Sequence, residues 1–140
     1  MPDTVEKYGA LVPGPNCSLA ESRQHHLLCV DDEEALVLVT AQILAIHGYR
    51  VTALSNPLQA AEVLDRENIE LAVIDYQMPE MSGACLAAQL KSARSKVKVV
   101  LFTGALQVPA SELATVDAVV NKSDGVEVLV ATVNGFFATH

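Results

Sequence analysis

The sequence is poor in basic residues and in patterned cysteines. Among its 140 residues, 9 are Lys or Arg and 17 are Asp or Glu, which gives a net charge of -8 at pH 7. This balance provides no basic face for a phosphate backbone and argues against direct nucleic-acid binding. Three cysteines without a C-x-x-C spacing form neither a disulfide framework nor a zinc site.

Long hydrophobic runs are also absent. The hydrophobic fraction of 51% is typical of a globular protein, but no run reaches the roughly 18 residues of a membrane helix. The chain begins MPDTVEKYGALVPG, with no basic stretch followed by an apolar core, so we predict no signal peptide. These observations favour a cytoplasmic protein without a membrane span.

The length suits one domain and is too short for an added output domain. Residues 1–25 hold three of the six prolines and no periodic pattern, which predicts a flexible or surface-packed N-terminal leader. Residues 26–140 form the domain. Any output is therefore expected to come from a partner protein.

From residue 26 onward, strand-like apolar segments alternate with helix-like segments. We predict strands at 26–30, 50–54, 69–75, 96–102 and 117–121. We predict helices at 33–47, 57–66, 82–93 and 124–138, the last with Asp124 and Glu127 as a capping pair. Apolar strands that alternate with helices indicate an α/β protein whose parallel sheet carries helices on both faces.

Polar residues follow four of the five predicted strands. Asp31 and Asp32 follow the first strand and Asp75 ends the third, while Thr103 and Lys122 follow the fourth and fifth. Ligands of parallel sheets bind beyond the carboxyl ends of the strands, so these side chains are expected to meet. Three carboxylates in one crevice repel each other, and a hard divalent cation such as Mg²⁺ relieves that repulsion.

Each of these groups alone has an ordinary structural interpretation. Asp31 and Asp32 could favour the start of the helix that follows them, and Asp75 could belong to a simple turn. Thr103 could cap a loop, and a lysine after a strand is usually solvated. Their occurrence together, at the ends of strands of one sheet, favours a site that accepts a phosphoryl group.

The order of these groups resembles the receiver domain of two-component response regulators, from about His26 to His140. The resemblance implies a flavodoxin-like, doubly wound sheet of five parallel strands in the order 2-1-3-4-5. It implies that Asp75 accepts a phosphoryl group from a histidine kinase or phosphotransfer protein and that a downstream protein reads the change. Such a chain is a signalling switch with slow self-dephosphorylation at most, and not an enzyme.

The resemblance also assigns roles to single residues. The implied Mg²⁺ ligands are Asp31 through water, Asp32, Asp75 and the main-chain carbonyl of Gln77. Lys122 and Thr103 would contact the phosphoryl oxygens, one as a mobile charge and the other as a hydroxyl donor.

The chain departs from the family in three places. Lys122 precedes Ser123 where the family has proline after a cis bond, and a cis bond before serine costs about 3 kcal/mol. Val119 stands where the family usually has an aromatic ring whose rotation reports phosphorylation. The stretch between Thr103 and Lys122 is short. These departures leave open a receiver-like interaction module that no longer uses phosphorylation.

A third interpretation is a haloacid-dehalogenase-like phosphatase, which also forms an aspartyl phosphate. That class would place D-x-D after the first strand, whereas this chain has the adjacent acids Asp31 and Asp32. A stable adduct with a small phosphodonor would favour the regulator, and continuous turnover would favour the phosphatase.

The predicted helix 33–47 is apolar on more than one side. If Leu36, Val39 and Ile43 face the sheet, a second side nearly free of charge remains, formed by Val37, Leu38, Ala41, Ala45 and Ile46. The equally apolar helix 124–138 is expected on the same face of the sheet. We expect either scattered surface alanine and valine or a patch covered by the leader or by a second copy in a homodimer.

Overall fold

The computed structural model describes residues 24–105 and 107–138. Its five strands are β1 (His26–Val30), β2 (Arg50–Leu54), β3 (Leu71–Ile74), β4 (Lys98–Thr103) and β5 (Ala118–Asn121). In this part of the chain the α-helices are α1 (Glu34–Ile46), α2 (Ala60–Arg66), α3 (Gly83–Ala93) and α4 (Val126–Phe137). Three short 3₁₀ helices cover Pro57–Gln59, Ala110–Glu112 and Lys122–Asp124. The predicted leader, except for its last two residues, lies outside the described residues.

All five strands belong to one parallel sheet with the order β2-β1-β3-β4-β5. The predicted α/β class and strand order are confirmed. Val30 at the end of β1 pairs with Leu54 on one side and with Ile74 on the other. The strand order reverses here, so the residues that follow β1 and β3 enter the crevice where such sheets bind ligands.

The strands are apolar because both faces of the sheet are covered. On one face α1 and α4 pack through Leu44, Leu129 and Val133. On the other face α2 and α3 pack through residues that include Leu64 and Leu86. Burying a leucine stabilises the fold by about 1.5–3 kcal/mol, so the two layers hold the sheet and its polar edge in place. The predictions of helices on both faces, and of α1 and α4 on one face, are confirmed.

The side of α1 that packs on the sheet is not the side that carries Leu36 and Val39. The buried side is formed by Val37, Ala41, Leu44 and Ala45. Leu36, Val39 and Ile46 are instead 41%, 52% and 58% exposed, while Ile43 is partly buried against the core. Leu36, Val39 and Ile43 repeat every three or four residues, and so do Val37, Ala41 and Leu44. Periodicity therefore could not distinguish the two sides. Leu36, Val39 and Ile46 together are called the α1 apolar row.

The start of the last helix also differs from the prediction. Asn121 accepts a hydrogen bond from the main-chain N–H of Ser123 at 2.9 Å and opens a separate 3₁₀ turn. Gly125 then has a φ of 95°, and α4 begins after it without a side-chain cap. A φ of that sign favours glycine and interrupts a continuous helix. The predicted capping pair of Asp124 and Glu127 is therefore wrong.

A hydrogen-bonded polar cluster lies near the amino ends of β1 and β3 and is called the amino-edge cluster. The His26 imidazole Nε2 lies 2.8 Å from the Thr52 hydroxyl, which donates to the Glu67 carboxylate at 2.6 Å. Glu70 accepts from the His26 main-chain N–H at 3.1 Å and lies 2.8 Å from the ring of His25. Each polar group of this cluster has a partner within the fold.

Within the described residues, no helix combines the length and the apolar character needed to cross a membrane.

Candidate functional site

The main chain carries the sheet ladder one residue beyond β1 and β3. The N–H of Asp75 donates to the carbonyl of Val30 at 2.9 Å, and the N–H of Asp31 donates to the carbonyl of Leu54 at 3.2 Å. These bonds fix both aspartates at the carboxyl edge of the sheet. Asp31, Asp32 and Asp75 each place one carboxylate oxygen within 4.8 Å of the others. The structure thus brings together the three acids that the sequence singled out.

The turn that carries Asp75 rests directly on the start of α3. Ser82 accepts from the main-chain N–H of Cys85 at 3.1 Å and caps the helix. Gly83 donates its N–H to the carbonyl of Tyr76 at 2.7 Å. A Cβ atom on Gly83 would meet the carbonyl oxygen of Asp75 at 2.4 Å. Only glycine fits here, so α3 and the Asp75 turn are held in one close arrangement.

Lys122 reaches the acids from the end of β5. Its Nζ donates to Asp31 at 2.9 Å and lies 3.6 Å from a carboxylate oxygen of Asp75. The same Nζ lies 5.9 Å from the centre of the Phe102 ring. One mobile ammonium therefore contacts two of the three carboxylates and offsets part of their repulsion.

Burial sets the proton equilibria of this edge. It raises the pKa of Asp75, the charges of Asp31 and Asp32 raise that pKa further, and Lys122 opposes the shift. Burial lowers the pKa of Lys122, but its hydrogen bond and its attraction to Asp31, together with Asp75, outweigh burial and leave the pKa raised. Three carboxylates against one ammonium leave an excess of negative charge. Close carboxylate oxygens of this kind fit a hard divalent cation.

Thr103 lies at the same edge, as the last residue of β4. The residue is buried, and its hydroxyl oxygen accepts from the N–H of Ala105 at 3.0 Å. This bond does not use the hydroxyl proton, which a second acceptor can therefore receive. In the sheet register Thr103 pairs with Asn121, the residue before Lys122. Gln77 is exposed in the turn after Asp75, and a metal contact from its carbonyl stays a prediction.

A small pocket beside the acids adds residues that the sequence analysis did not select. Its lining includes Thr40 of α1 and Phe102 of β4, next to Asp31 and Asp75. Cys29 also lines it, but burial raises the pKa of this thiol to about 12. A thiolate is needed for cysteine chemistry, so Cys29 supplies packing and no nucleophile.

Sequence reasoning also missed a contact of Tyr76, the residue after Asp75. Its hydroxyl donates to Glu112 at 2.5 Å. The partners are separated by 36 residues, and Glu112 lies in the stretch with the weakest pattern. No local signal in the sequence could have predicted the pair.

Comparison with known proteins identifies the family of the chain. A model of the response regulator receiver domain matches residues 27–134. The transcriptional regulatory protein GlrR of Escherichia coli is 31% identical over 90 residues, which cover 64% of this chain and 20% of that protein. The two-component response regulator ORR11 of Oryza sativa subsp. indica is 38% identical over 81 residues, which cover 56% of this chain and 55% of that protein. The chain thus spans less than two thirds of either relative.

Solved structures agree on the fold. The response regulator TrrA of Thermotoga maritima, in complex with Mg²⁺ and BeF, has a TM-score of 0.75 at 24% identity and covers 80% of this chain and 98% of its own. A CheY-like receiver domain protein of Methanospirillum hungatei has a TM-score of 0.72 at 24% identity, with coverages of 80% and 92%. The strand order and the family match lead to one conclusion. This chain belongs to the response regulator receiver domain family.

Proposed function

We propose that this chain is a phosphorylation-dependent signalling switch in which Asp75 accepts a phosphoryl group from a histidine kinase or phosphotransfer protein. Membership of the receiver family supports two-component signalling. The observation that carries the assignment of the acceptor is the cluster of three carboxylates within 4.8 Å. Asp75 directly follows the central strand β3, and the Nζ of Lys122 lies 3.6 Å from its carboxylate.

The residues of this edge suit an in-line transfer. A carboxylate oxygen of Asp75 forms the new bond to phosphorus as the bond to the donor's histidine nitrogen breaks, and its electron pair returns to the imidazole. Lys122 turns from Asp31 and Asp75 toward the phosphoryl oxygens, and the hydroxyl of Thr103 donates to another of them. Positioning and charge neutralisation, and no acid-base step, supply most of the catalysis in such a transfer.

Asp31, Asp32 and Asp75, with the carbonyl of Gln77, would hold Mg²⁺ in this site. The bound ion would neutralise the carboxylates and the phosphoryl oxygens together. The raised pKa of Asp75 supports this assignment, because a cation beside the group restores the ionised form that the transfer needs.

A receiver-like module that does not use phosphorylation is the second candidate. It is favoured by Val119, which is 45% exposed on β5 and carries no ring that could report phosphorylation. A phosphatase is the less favoured alternative, because Asp31 and Asp32 are adjacent and Lys122 already binds Asp31. In the favoured proposal, the phosphorylated Asp75 returns to its free form slowly, by self-dephosphorylation.

Incubation with Mg²⁺ and acetyl phosphate separates the three candidates. Intact mass spectrometry should show one added phosphate on the wild-type protein and none on Asp75→Asn. Continuous release of inorganic phosphate would indicate the phosphatase. No adduct on a folded wild-type protein would indicate the inert module.

The proposed output of this cytoplasmic regulator is a protein partner. The net charge of -8 disfavours nucleic acid as that partner. The α1 apolar row, with the neighbouring α4, is the surface that we assign to a homodimer, since a row of large exposed apolar residues favours burial. The leader is the other possible cover for this row.

Deletion of residues 1–23, followed by measurement of mass in solution, distinguishes a second copy of the chain from the leader as the partner of the α1 apolar row. A dimer that persists in the deletion variant supports the second copy as the cover. A monomer that loses stability or solubility on deletion supports the leader. A soluble, equally stable monomer would contradict both.

A further inference from the structure

Tyr76 connects the residue beside the acceptor to a distant part of the chain. Its main-chain carbonyl accepts from Gly83 at 2.7 Å, while its side-chain hydroxyl donates to Glu112 at 2.5 Å. Glu112 belongs to the 3₁₀ helix Ala110–Glu112 between β4 and β5. One residue therefore contacts both the start of α3 and the connection that follows β4.

Within the described residues, that connection is held by turn bonds and by partial packing on the core. Residues 107–116, called the β4–β5 segment, are held internally by turn bonds such as Leu113 N–H to Ala110 at 3.1 Å. Val108, Leu113 and Val116, like Tyr76, are only partly buried against the core. A segment with short turns and partial burial opens at low free energy, so a single charge-assisted hydrogen bond matters for its order.

The other end of the connection begins at the acceptor site. Thr103 accepts from the N–H of Ala105, and the carbonyl of Ala105 accepts from the Asn121 side chain at 3.2 Å. The connection thus starts at one site residue and is contacted near its middle by the neighbour of Asp75. Val119, on the adjacent strand, has no ring that could move between the two.

The Asp75 turn is packed closely against the start of α3. The carbonyl of Asp75 lies so close to Gly83 that a single added carbon there would clash at 2.4 Å. The turn is therefore blocked toward α3.

We propose that the Tyr76–Glu112 hydrogen bond is the link through which the state of Asp75 sets the order of the β4–β5 segment. This inference rests on the proposed function. In the free protein the link holds the segment. Phosphorylation of Asp75 shifts the turn, separates the tyrosine hydroxyl from the carboxylate and loosens residues 107–116, which changes the surface that a partner protein meets.

Amide hydrogen exchange on four variants tests the link. Tyr76→Phe removes only the hydroxyl, and Glu112→Ala removes the acceptor. Glu112→Gln keeps an amide oxygen that can accept the bond. Tyr49→Phe is the matched control, because it removes a different tyrosine hydroxyl that donates to Asn134 on α4.

The expected result has two parts. Before phosphorylation, the amide hydrogens of residues 107–116 should exchange about tenfold faster in Tyr76→Phe and Glu112→Ala than in wild type, because one charge-assisted hydrogen bond is lost. After treatment with Mg²⁺ and acetyl phosphate, the exchange rate of residues 107–116 in wild type should approach the rate in these two variants. The variants should gain phosphate normally, but their exchange rates should not change further. Tyr49→Phe should follow wild type, and Glu112→Gln should lie between wild type and Glu112→Ala, because its amide accepts the bond without the charge.

Two failures are distinguishable in the same experiment. If Tyr76→Phe takes up phosphate and exchanges like wild type before and after, the link is wrong and the proposed function stands. If wild type takes up no phosphate, the proposed function fails, and the coupling fails with it.

Discussion

Two groups of polar side chains lie at opposite ends of one sheet. The amino end carries the amino-edge cluster, and the carboxyl end carries the acid edge, formed by Asp31, Asp32 and Asp75 with Lys122. In the amino-edge cluster, the carboxylates of Glu67 and Glu70 accept hydrogen bonds from Thr52 and His26. At the acid edge, Asp75 faces two further carboxylates and a single ammonium. Complementary partners make the first group part of the framework. Like charges make the second group suited to a cation.

Burial disfavours the charged form of a residue in each group, but the two contributions to stability depend on pH in opposite ways. Burial is the largest cause at both, and it lowers the pKa of His26 and raises that of Asp75. The folded state therefore disfavours the charged form of each residue. As pH falls below 6.5, the His26 contribution to stability is lost. The Asp75 contribution has the opposite sign, because it is largest below 3.8 and is lost as pH rises through the folded pKa.

The largest predicted effect concerns the close packing under the acid edge. Gly83→Ala should destabilise the fold by about 3 kcal/mol, because its Cβ would overlap backbone that cannot easily move. Phosphate uptake at Asp75 should fall as the turn is displaced. Urea unfolding and intact mass spectrometry measure the two effects.

Gly135→Ala is the control for this substitution, since a Cβ there meets nothing within 4 Å. It lies within α4 and should stabilise the protein by up to about 1 kcal/mol through helix propensity. Equal stability of Gly83→Ala and wild type would show that the turn is not held as described.

The response to Mg²⁺ is the second test of the difference between the acid edge and the amino-edge cluster. At a hundred times its dissociation constant, Mg²⁺ should stabilise the protein by about 2.7 kcal/mol through binding to the folded state. Asp32→Ala should abolish this gain and, without Mg²⁺, should raise the melting temperature slightly, because one repelling carboxylate is removed. Thermal unfolding with and without Mg²⁺ measures both.

Glu67→Ala is the matched variant in the amino-edge cluster. It should cost about 1–3 kcal/mol, because it leaves buried donors without an acceptor, and it should keep the full gain from Mg²⁺. Equal responses of Asp32→Ala and Glu67→Ala to Mg²⁺ would remove the distinction between the two groups.

The smallest predicted effect is a pH dependence from the amino-edge cluster. The folded pKa of His26 lies below its ordinary value of 6.5, so the unfolded chain takes up the proton first. Wild type should therefore lose stability as pH falls from 7 to 5. His26→Gln should lose less stability over that range. Denaturant unfolding at pH 7 and at pH 5 measures this loss. An equal loss of unfolding free energy in wild type and His26→Gln would contradict the assignment.

The sheet and the acid edge were predictable because both follow from short-range patterns. Alternating strands and helices predict a parallel sheet, and residues that end its strands must meet at one edge. This reasoning placed Asp31, Asp32 and Asp75 together without any knowledge of their distances. The roles of Thr103 and Lys122 on a phosphoryl group stay predictions.

Other features were not predictable, for identifiable physical reasons. Two apolar sets on α1 share one periodicity, so the set that contains Val39 could not be told from the set that contains Val37. The start of α4 depends on the positive φ of Gly125, which propensity does not reveal. The Tyr76–Glu112 pair joins residues far apart in the chain through a segment with little pattern.

The most direct test of the account is to identify the residue that carries the phosphate. The protein is treated with Mg²⁺ and acetyl phosphate, reduced with borohydride, which converts an aspartyl phosphate to homoserine, and mapped by peptide mass spectrometry. We predict homoserine at position 75 alone, with Asp31 and Asp32 unchanged. Homoserine at either of those two acids, or at none of the three, would contradict the assignment of the acid edge as the acceptor site.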